Sequence, residues 1–195
     1  MKATATLRNK IREKRRALPE AVRQANSAEL FGHLINHHVF KRSRRIAGFI
    51  ASDGEQDPEL IIDRAIHDGK ECFLPVLNRL HGNRLWFAPL HEDSNLVINK
   101  YGIPEPEIFP PKPTPTWTLD LVLTPLVAFD SAGGRIGMGG GYYDRTFSHP
   151  KRSSNSRRPF LLGVAHSFQE VKSIKKEPWD IPLDGIATEK GVTVF

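Results

Sequence analysis

A chain of 195 residues, 39% hydrophobic and 26% charged, can bury one proper core and is neither disordered nor fibrous in composition. No stretch approaches the roughly 20 apolar residues of a membrane helix. The single cysteine, Cys72, excludes an internal disulfide and a Cys-based zinc site, and fits a reducing cytoplasm. The net charge of +6 is uneven, because residues 1–45 hold 12 Lys/Arg against 3 Asp/Glu. Such a basic front end suits an anionic partner, whether nucleotide, polyanion or nucleic acid, and equally a solvated helix face with no partner.

Met1 to Leu18 lacks the apolar block of a secretory signal; its Arg-rich composition shares something with a mitochondrial presequence but runs straight into a helical pattern. That pattern predicts a first helix from about Thr6 to Ala17, with Leu7, Ile11 and Leu18 on one side. Pro19 is placed to open a second helix reaching His37, with Ala21, Ala25, Ala28, Leu34 and His38 spaced for one face. The run from Ile46 to Ala51 predicts a buried strand, Pro58 to His67 a helix, and Cys72 to Leu77 the next strand, with Cys72 a buried small hydrophobe. Leu85 to Ala88 reads as a short strand stopped by Pro89. Six prolines between Pro104 and Thr116 require an irregular or extended connection. Leu119 to Leu123 and Phe160 to Ala165 are strand-like, separated by a probable helix at Tyr142–Phe147 and the wholly polar Lys151–Arg158. A weaker helix is expected around Phe168 to Lys175, and short strands near Ile186–Thr188 and Val192–Phe195. This order predicts a single three-layer α/β domain whose central sheet is mostly parallel and Rossmann-like. No repeat interrupts it.

Chemistry concentrates in Asp130 to Asp144 (DSAGGRIGMGGGYYD), between a predicted buried strand and a predicted helix, where α/β sheets bind ligands. Gly137, Gly139, Gly140 and Gly141 can adopt positive φ and leave backbone N–H groups uncovered, a concavity suited to phosphate. Asp144 offers a hard oxygen ligand for Mg²⁺, and Arg135 and Arg145 can balance phosphate charge. The spacing matches neither the Walker A loop nor G-x-G-x-x-G, so phosphate binding and a purely structural turn both stay open. Three carboxylates in Ser52–Asp57 end the first strand; Asp57 suits a helix N-cap, and Glu55 is more open. Glu177 to Asp184 (EPWDIPLD) reads as an acidic loop anchored by Trp179. Ser131 lacks a nucleophile-elbow context.

Taken together these segments resemble the 5-formyltetrahydrofolate cyclo-ligase family of the bacterial type. The resemblance covers nearly the whole chain: Leu7-Arg8, Asp53-Gly54-Glu55, Pro125 to Asp130, Gly137 to Asp144, Gly163 to Gln169 (GVAHSFQ), Trp179 to Pro182, and Thr188-Glu189. It implies an enzyme that closes 5-formyltetrahydrofolate to 5,10-methenyltetrahydrofolate with ATP and Mg²⁺, releasing ADP and phosphate. The family pattern places ATP against Thr4, Arg8, Arg135, Ile136, Gly137, Met138, Gly139, Gly140, Gly141, Tyr142, Tyr143 and Arg145. It places folate against Ile50, Glu55 and the stretch Met138 to Tyr142, Mg²⁺ on Asp144 and Asp180, and catalysis on Arg135, Tyr143 and Asp144. The implied protein is a cytoplasmic monomer acting on small molecules, with no nucleic-acid or membrane partner. Two departures stand out. Thr4 occupies a position where many relatives carry lysine, with Lys2 out of register, and Met138 and Gly140 stand where many carry a basic residue. Rival readings are a nucleic-acid-binding module using residues 1–45, and a folate-binding protein of this fold that has lost turnover; no nucleic-acid motif supports the former.

Overall fold

The computed structural model describes residues 2–78, 82–107, 114–148 and 158–195, and of Lys2 and Ala3 the backbone alone. Most of the polar stretch Lys151–Arg158, and three of the six prolines between Pro104 and Thr116, lie outside the described residues. In chain order the elements are α1 (Lys2–Arg16), α2 (Glu20–Asn36), α3 (His38–Arg42), β1 (Arg45–Ala47), α4 (Glu59–His67), β2 (Glu71–Leu77) and β3 (Leu85–Leu90). There follow β4 (Leu96–Ile98), β5 (Pro104–Pro106), β6 (Leu121–Pro125), β7 (Ala128–Phe129), β8 (Arg135–Ile136), α5 (Tyr142–Phe147), β9 (Phe160–Val164), β10 (Gly185–Thr188) and β11 (Gly191–Val194).

Seven strands form one sheet in the order β11-β10-β9-β6-β1-β2-β3. Its five inner strands are parallel, and the two edges, β3 and β11, pair antiparallel. The inner strands are continuous apolar runs because both faces are covered. Alternate residues divide between two cores. Ile46, Cys72, Leu121, Leu123, Leu162, Val164 and Ala187 pack with Leu30, Leu34, Phe40, Ile61 and Ile62 of the helices α2 to α4. Ala47, Phe73, Val122, Leu161 and Ile186 face the other way, against Leu126, Phe129, Leu183 and the partly buried Tyr142, Tyr143 and Phe147. The three layers are present, but the second helical layer is reduced to α5 and loops. Burial holds Cys72 as expected and pushes its thiol up to about 11.

Strand order fixes where a ligand belongs. From β1 the chain moves outward through α4 to β2, then returns to lay β6 on the opposite side of β1. The loops leaving the carboxyl ends of β1 and β6 therefore diverge and leave a crevice, the topological switch point of open α/β sheets. Those loops carry Asp53-Gly54-Glu55 and the glycine-rich segment.

Several expectations need correction. Ala21, Ala25, Ala28 and His38 are exposed; α2 buries Leu30 and Leu34, whose larger side chains decide the face. The chain breaks at His37 and starts α3, bringing the His37 and His38 rings to 4.3 Å. β3 continues through Pro89 to Leu90, because an edge strand tolerates a residue with no N–H to donate. Of the irregular and extended alternatives, Pro104–Pro106 takes the extended one and, beyond expectation, pairs antiparallel with β4. No α-helix forms at Phe168–Lys175: only Ser167–Gln169 makes a 3-10 turn, after which the backbone turns elsewhere for partners. Val171 N–H bonds the Phe129 carbonyl and Ile174 N–H the Asp130 carboxylate. Phe168, Val171 and Ile174 still pack on Leu7 and Ile11, so a helix-like spacing is served by an irregular segment.

Candidate functional site

The turn after β1 is built from charge. Asp53 has φ +52, a left-handed conformation unfavourable outside glycine, followed by Gly54 at φ +72. A Cβ on Gly54 would lie 2.8 Å from the Arg15 carbonyl oxygen, so the turn sits directly against α1. Three guanidinium groups of α1 hold it. Arg15, fully buried, donates to the Asp53 carboxylate at 2.6 Å, the Asp53 carbonyl at 2.8 Å and the Leu126 carbonyl at 3.3 Å; Arg12 and Arg16 reach the same carboxylate. Burial raises the Asp53 pKa, but the hydrogen bonds from Arg12 and Arg15 outweigh it and hold the carboxyl below its usual range. Asp53 is thus consumed by arginines and is not a metal ligand. Asp57 accepts the Glu59 N–H at 3.0 Å, but the N-cap position of α4 belongs to Pro58, whose carbonyl takes the first helical N–H groups, so Asp57 stands one residue outside the expected cap. Glu55 accepts the Ser52 N–H at 3.1 Å and lies 3.5 Å from Arg15, yet burial dominates and pushes its carboxyl up.

The glycine loop after β8 is built from backbone. Gly139 (φ +102) and Gly141 (φ +63) use the left-handed freedom of glycine; Gly137 and Gly140 do not. Gly140 is required for space, since a Cβ there would meet the Tyr142 ring at 2.8 Å. Side chains from three separate elements take the loop's carbonyls. Arg8 donates through Nε to Gly137 at 2.9 Å, while Asn83 and Arg145 donate to Gly140 at 3.1 and 2.6 Å. Carbonyls held from outside leave the loop's N–H groups as the free donors, as an anion cradle requires. Arg135 pairs with Asp144 at 2.5 Å, and its buried Nε has no partner among the described residues. A buried cation with an unused donor is costly unless something anionic completes it.

Between these walls lies a cleft of about 720 Å³, within the range of small-molecule sites. It is lined on one side by Ile50, Asp53 and Glu55 and on the other by Arg135, Gly137, Met138, Gly140, Gly141, Tyr142, Tyr143 and Asp144. The loop between β4 and β5 completes the rim, where the Tyr101 and Tyr142 hydroxyls hydrogen-bond at 2.9 Å. Burial raises the Tyr143 phenol, with the Glu55 charge adding to it and Arg135 opposing it, so Tyr143 stays protonated between the two. A second cavity, of about 500 Å³, lies against α2 and shares Ser52, Asp53 and Glu55 with the cleft, so this turn forms a wall of both.

The remaining expected residues fall unequally. Arg8 reaches the glycine loop, and exposed Thr4 sits one turn earlier on α1. The Ile136 side chain is buried beside Ile11, Val127 and Ala128 and presents nothing to the cleft. Asp180 accepts the Glu177 N–H, and the next residue, Ile181, donates to Asp144 at 3.2 Å, which ties the acidic loop to the site. Trp179 is 66% exposed and anchors nothing; Lys176, Ile181 and Leu183 anchor that loop through hydrogen bonds. Among the described residues no cluster of three or more His, Cys, Asp or Glu forms a ready-made metal cage. Asp144 lines the cleft and takes Arg135 and the Ile181 N–H on Oδ1, and Asp180 takes the Glu177 N–H on Oδ2; Mg²⁺ needs only one or two carboxylates when phosphates and water complete its shell. Sequence reasoning passed over Arg12, Arg15 and Asn83. The spacing of Arg8, Arg12 and Arg15, alongside Leu7 and Ile11, is the signal that marks an inward-facing basic stripe.

The geometry agrees with comparison to known proteins. The model of the 5-formyltetrahydrofolate cyclo-ligase family matches residues 1–189. The 5-formyltetrahydrofolate cyclo-ligase of Escherichia coli K12 is 35% identical over 182 residues, covering 93% of this chain and 98% of that protein. That of Haemophilus influenzae is 33% identical over 178 residues, covering 91% and 92%. The NMR structure of Aquifex aeolicus 5,10-methenyltetrahydrofolate synthetase superposes with a TM-score of 0.80 at 31% identity, covering 98% of this chain and 92% of that one. At 22% identity and a TM-score of 0.71, the Mycoplasma pneumoniae synthetase shares the fold. The chain belongs to the 5-formyltetrahydrofolate cyclo-ligase family and is a ligase.

Proposed function

We propose that this enzyme converts 5-formyltetrahydrofolate to 5,10-methenyltetrahydrofolate, coupled to ATP hydrolysis to ADP and phosphate in the presence of Mg²⁺. The observation that carries the reading is the cleft at the switch point, with a buried carboxylate on one wall and, on the other, a glycine cradle beside the unpartnered Arg135 Nε. An N-formyl amide is a poor electrophile because nitrogen donates into its carbonyl. Phosphorylation of the formyl oxygen, with cleavage of the bond between the γ-phosphorus and the ADP oxygen, makes that oxygen a leaving group. N10 then attacks the formyl carbon, and loss of the N10 proton and of phosphate leaves the methenyl bridge. No covalent enzyme intermediate is needed; positioning and charge neutralisation suffice.

In this reading Glu55, with Ile50 beside it, binds the folate. The glycine loop from Arg135 to Tyr143 cradles the ATP phosphates, aided by Arg8 and Arg145. Asp144 and Asp180 would hold Mg²⁺, which would neutralise charge on the transferring phosphate. Arg135, which pairs with Asp144, would turn its unused donors to the phosphates. The basic side chains that many relatives carry at the positions of Met138 and Gly140 are replaced by backbone donors and Arg135. Mixing the protein with MgATP and 5-formyltetrahydrofolate should raise the absorbance of the methenyl product; no product at any ATP concentration overturns the proposal. Glu55→Gln should raise the KM for folate well above any change in the KM for ATP.

A further inference from the structure

The segment Gly163 to Gln169 contributes no side chain to the cleft, yet each residue of its second half has a specific partner. The Gln169 amide donates to the Leu126 and Val127 carbonyls at 2.9 and 3.0 Å, and its oxygen accepts the His166 N–H at 2.8 Å. The Ser167 N–H bonds the Glu189 carboxylate at 2.9 Å, and Phe168 stacks on the His166 ring while lying 4.4 Å beneath the Lys14 ammonium. His166 itself is completely buried. Its Nδ1 lies 3.1 Å from the Asn26 amide nitrogen, and its Nε2 lies 3.2 Å from the Gly54 carbonyl oxygen.

These partners assign the tautomer. An amide nitrogen only donates, so Nδ1 accepts from Asn26; a carbonyl only accepts, so Nε2 carries the proton and donates to Gly54. Burial lowers the His166 pKa despite the Gly54 bond and the nearby Glu189 charge, with Arg15 and Arg23 also facing the ring, and so favours this neutral form. Gly54 is the residue immediately before Glu55. Arg15 packs against one side of the turn, and His166 holds the carbonyl exposed on the other.

We propose that His166, its ring oriented by Asn26, is a positioning residue for the folate side of the site, fixing the Gly54 carbonyl and through it the placement of Glu55. The inference rests on the assignment of Glu55 to folate. It goes beyond it, because it gives a buried residue with no access to the cleft control over one substrate and not the other. The glycine loop is held by Arg8, Asn83 and Arg145 and does not depend on His166.

Steady-state kinetics on the full chain, with MgATP and 5-formyltetrahydrofolate varied in turn, test this. His166→Ala should raise the folate KM about tenfold, as a misplaced contact does, with the ATP KM and kcat within about twofold. His166→Gln, whose amide can donate to Gly54, should recover most of that loss, a rescue that mere filling of the core by Leu would not give. Asn26→Ala, on the half-buried face of α2, should shift the folate KM in the same direction by roughly threefold, and carries the test if His166→Ala does not fold. Equal rises in both KM values, or an unchanged folate KM in folded protein, overturn the proposal. A folate KM moved by Glu55→Gln but not by either His166→Ala or Asn26→Ala sinks the positioning role alone. The converse pattern removes Glu55 from the folate site and with it the route through Glu55, and so overturns the proposal together with the reading it rests on.

Discussion

The two loops that form the cleft, one after β1 of the seven-stranded sheet and one after β8 of the separate β7–β8 pair, are stabilised by opposite means. The turn at Asp53–Glu55 is pinned by side-chain charge: three arginines of α1 converge on one carboxylate, and a buried histidine takes a backbone carbonyl. The loop at Arg135–Asp144 is pinned by its own carbonyls, taken from outside by Arg8, Asn83 and Arg145. The first arrangement spends Asp53 on structure and leaves Glu55 as the carboxylate able to meet a ligand. The second spends carbonyls on structure and leaves N–H groups free. A site for a heterocycle with N–H donors and one for a polyanion differ in this way, and acidic or basic residue counts alone do not reveal it.

Breaking the charged turn should have the largest effect. Arg15→Met removes a fully buried guanidinium and leaves Asp53 and two carbonyls short of donors. We expect a loss of about 3 kcal/mol or more in stability, read as a lower midpoint in urea unfolding. A loss under about 1 kcal/mol would show that Arg12 and Arg16 hold the turn unaided. Asp144→Asn acts on the other wall: turnover should fall about 100-fold, and raising Mg²⁺ should recover part of it. Because Arg135 loses its ionic partner, a cost of roughly 1–3 kcal/mol in stability should accompany it. A normal rate at limiting Mg²⁺ removes Asp144 from the metal site.

Smaller changes sharpen the contrast. Gly139→Ala places a Cβ on a residue at φ +102 without touching Glu55. It should cost about 1–2 kcal/mol in stability and raise the KM for ATP more than that for folate. The smallest effect is electrostatic. Asp53 has a folded-state pKa below its unfolded value, so its stabilisation is complete above about pH 4 and is lost as pH falls through the lower folded value. Unfolding midpoints measured down through that window should fall with acidification, and Asp53→Asn should flatten that part of the curve.

What could be read from the sequence follows from how local each signal is. β1, β2, β6, β9 and β10 show as short apolar runs because they are buried on both faces, and the start of α4 shows within one residue because Asp57, Pro58 and Glu59 are local signals. The β4–β5 pair was hidden, since Pro104 and Pro106 argue against a strand unless it lies at an edge. The face of α2 was misjudged because its alanines kept the right period but bury little area beside Leu30 and Leu34. Arg8 and the glycine loop were visible through a family pattern. The Arg8–Arg12–Arg15 spacing marks Arg15 as inward-facing but not its partners, which lie 38 to 111 residues away, and nothing local marks Asn83, whose partner lies 57 residues away.

The bond from Arg8 to Gly137 spans 129 residues, and this sets an order of events during synthesis. Closing so long a loop costs little more entropy than closing one half its length, but it cannot close until β6 and β8 have emerged and found their places. Arg12, Arg15 and Arg16 of the N-terminal helix can meet Asp53 after only 37 to 41 residues, whereas Arg8 must wait for most of the chain. The loop that Arg8 holds can be completed only after β1, β2, β3 and β6 have emerged, while β9, β10 and β11, which finish the sheet, are still to be made.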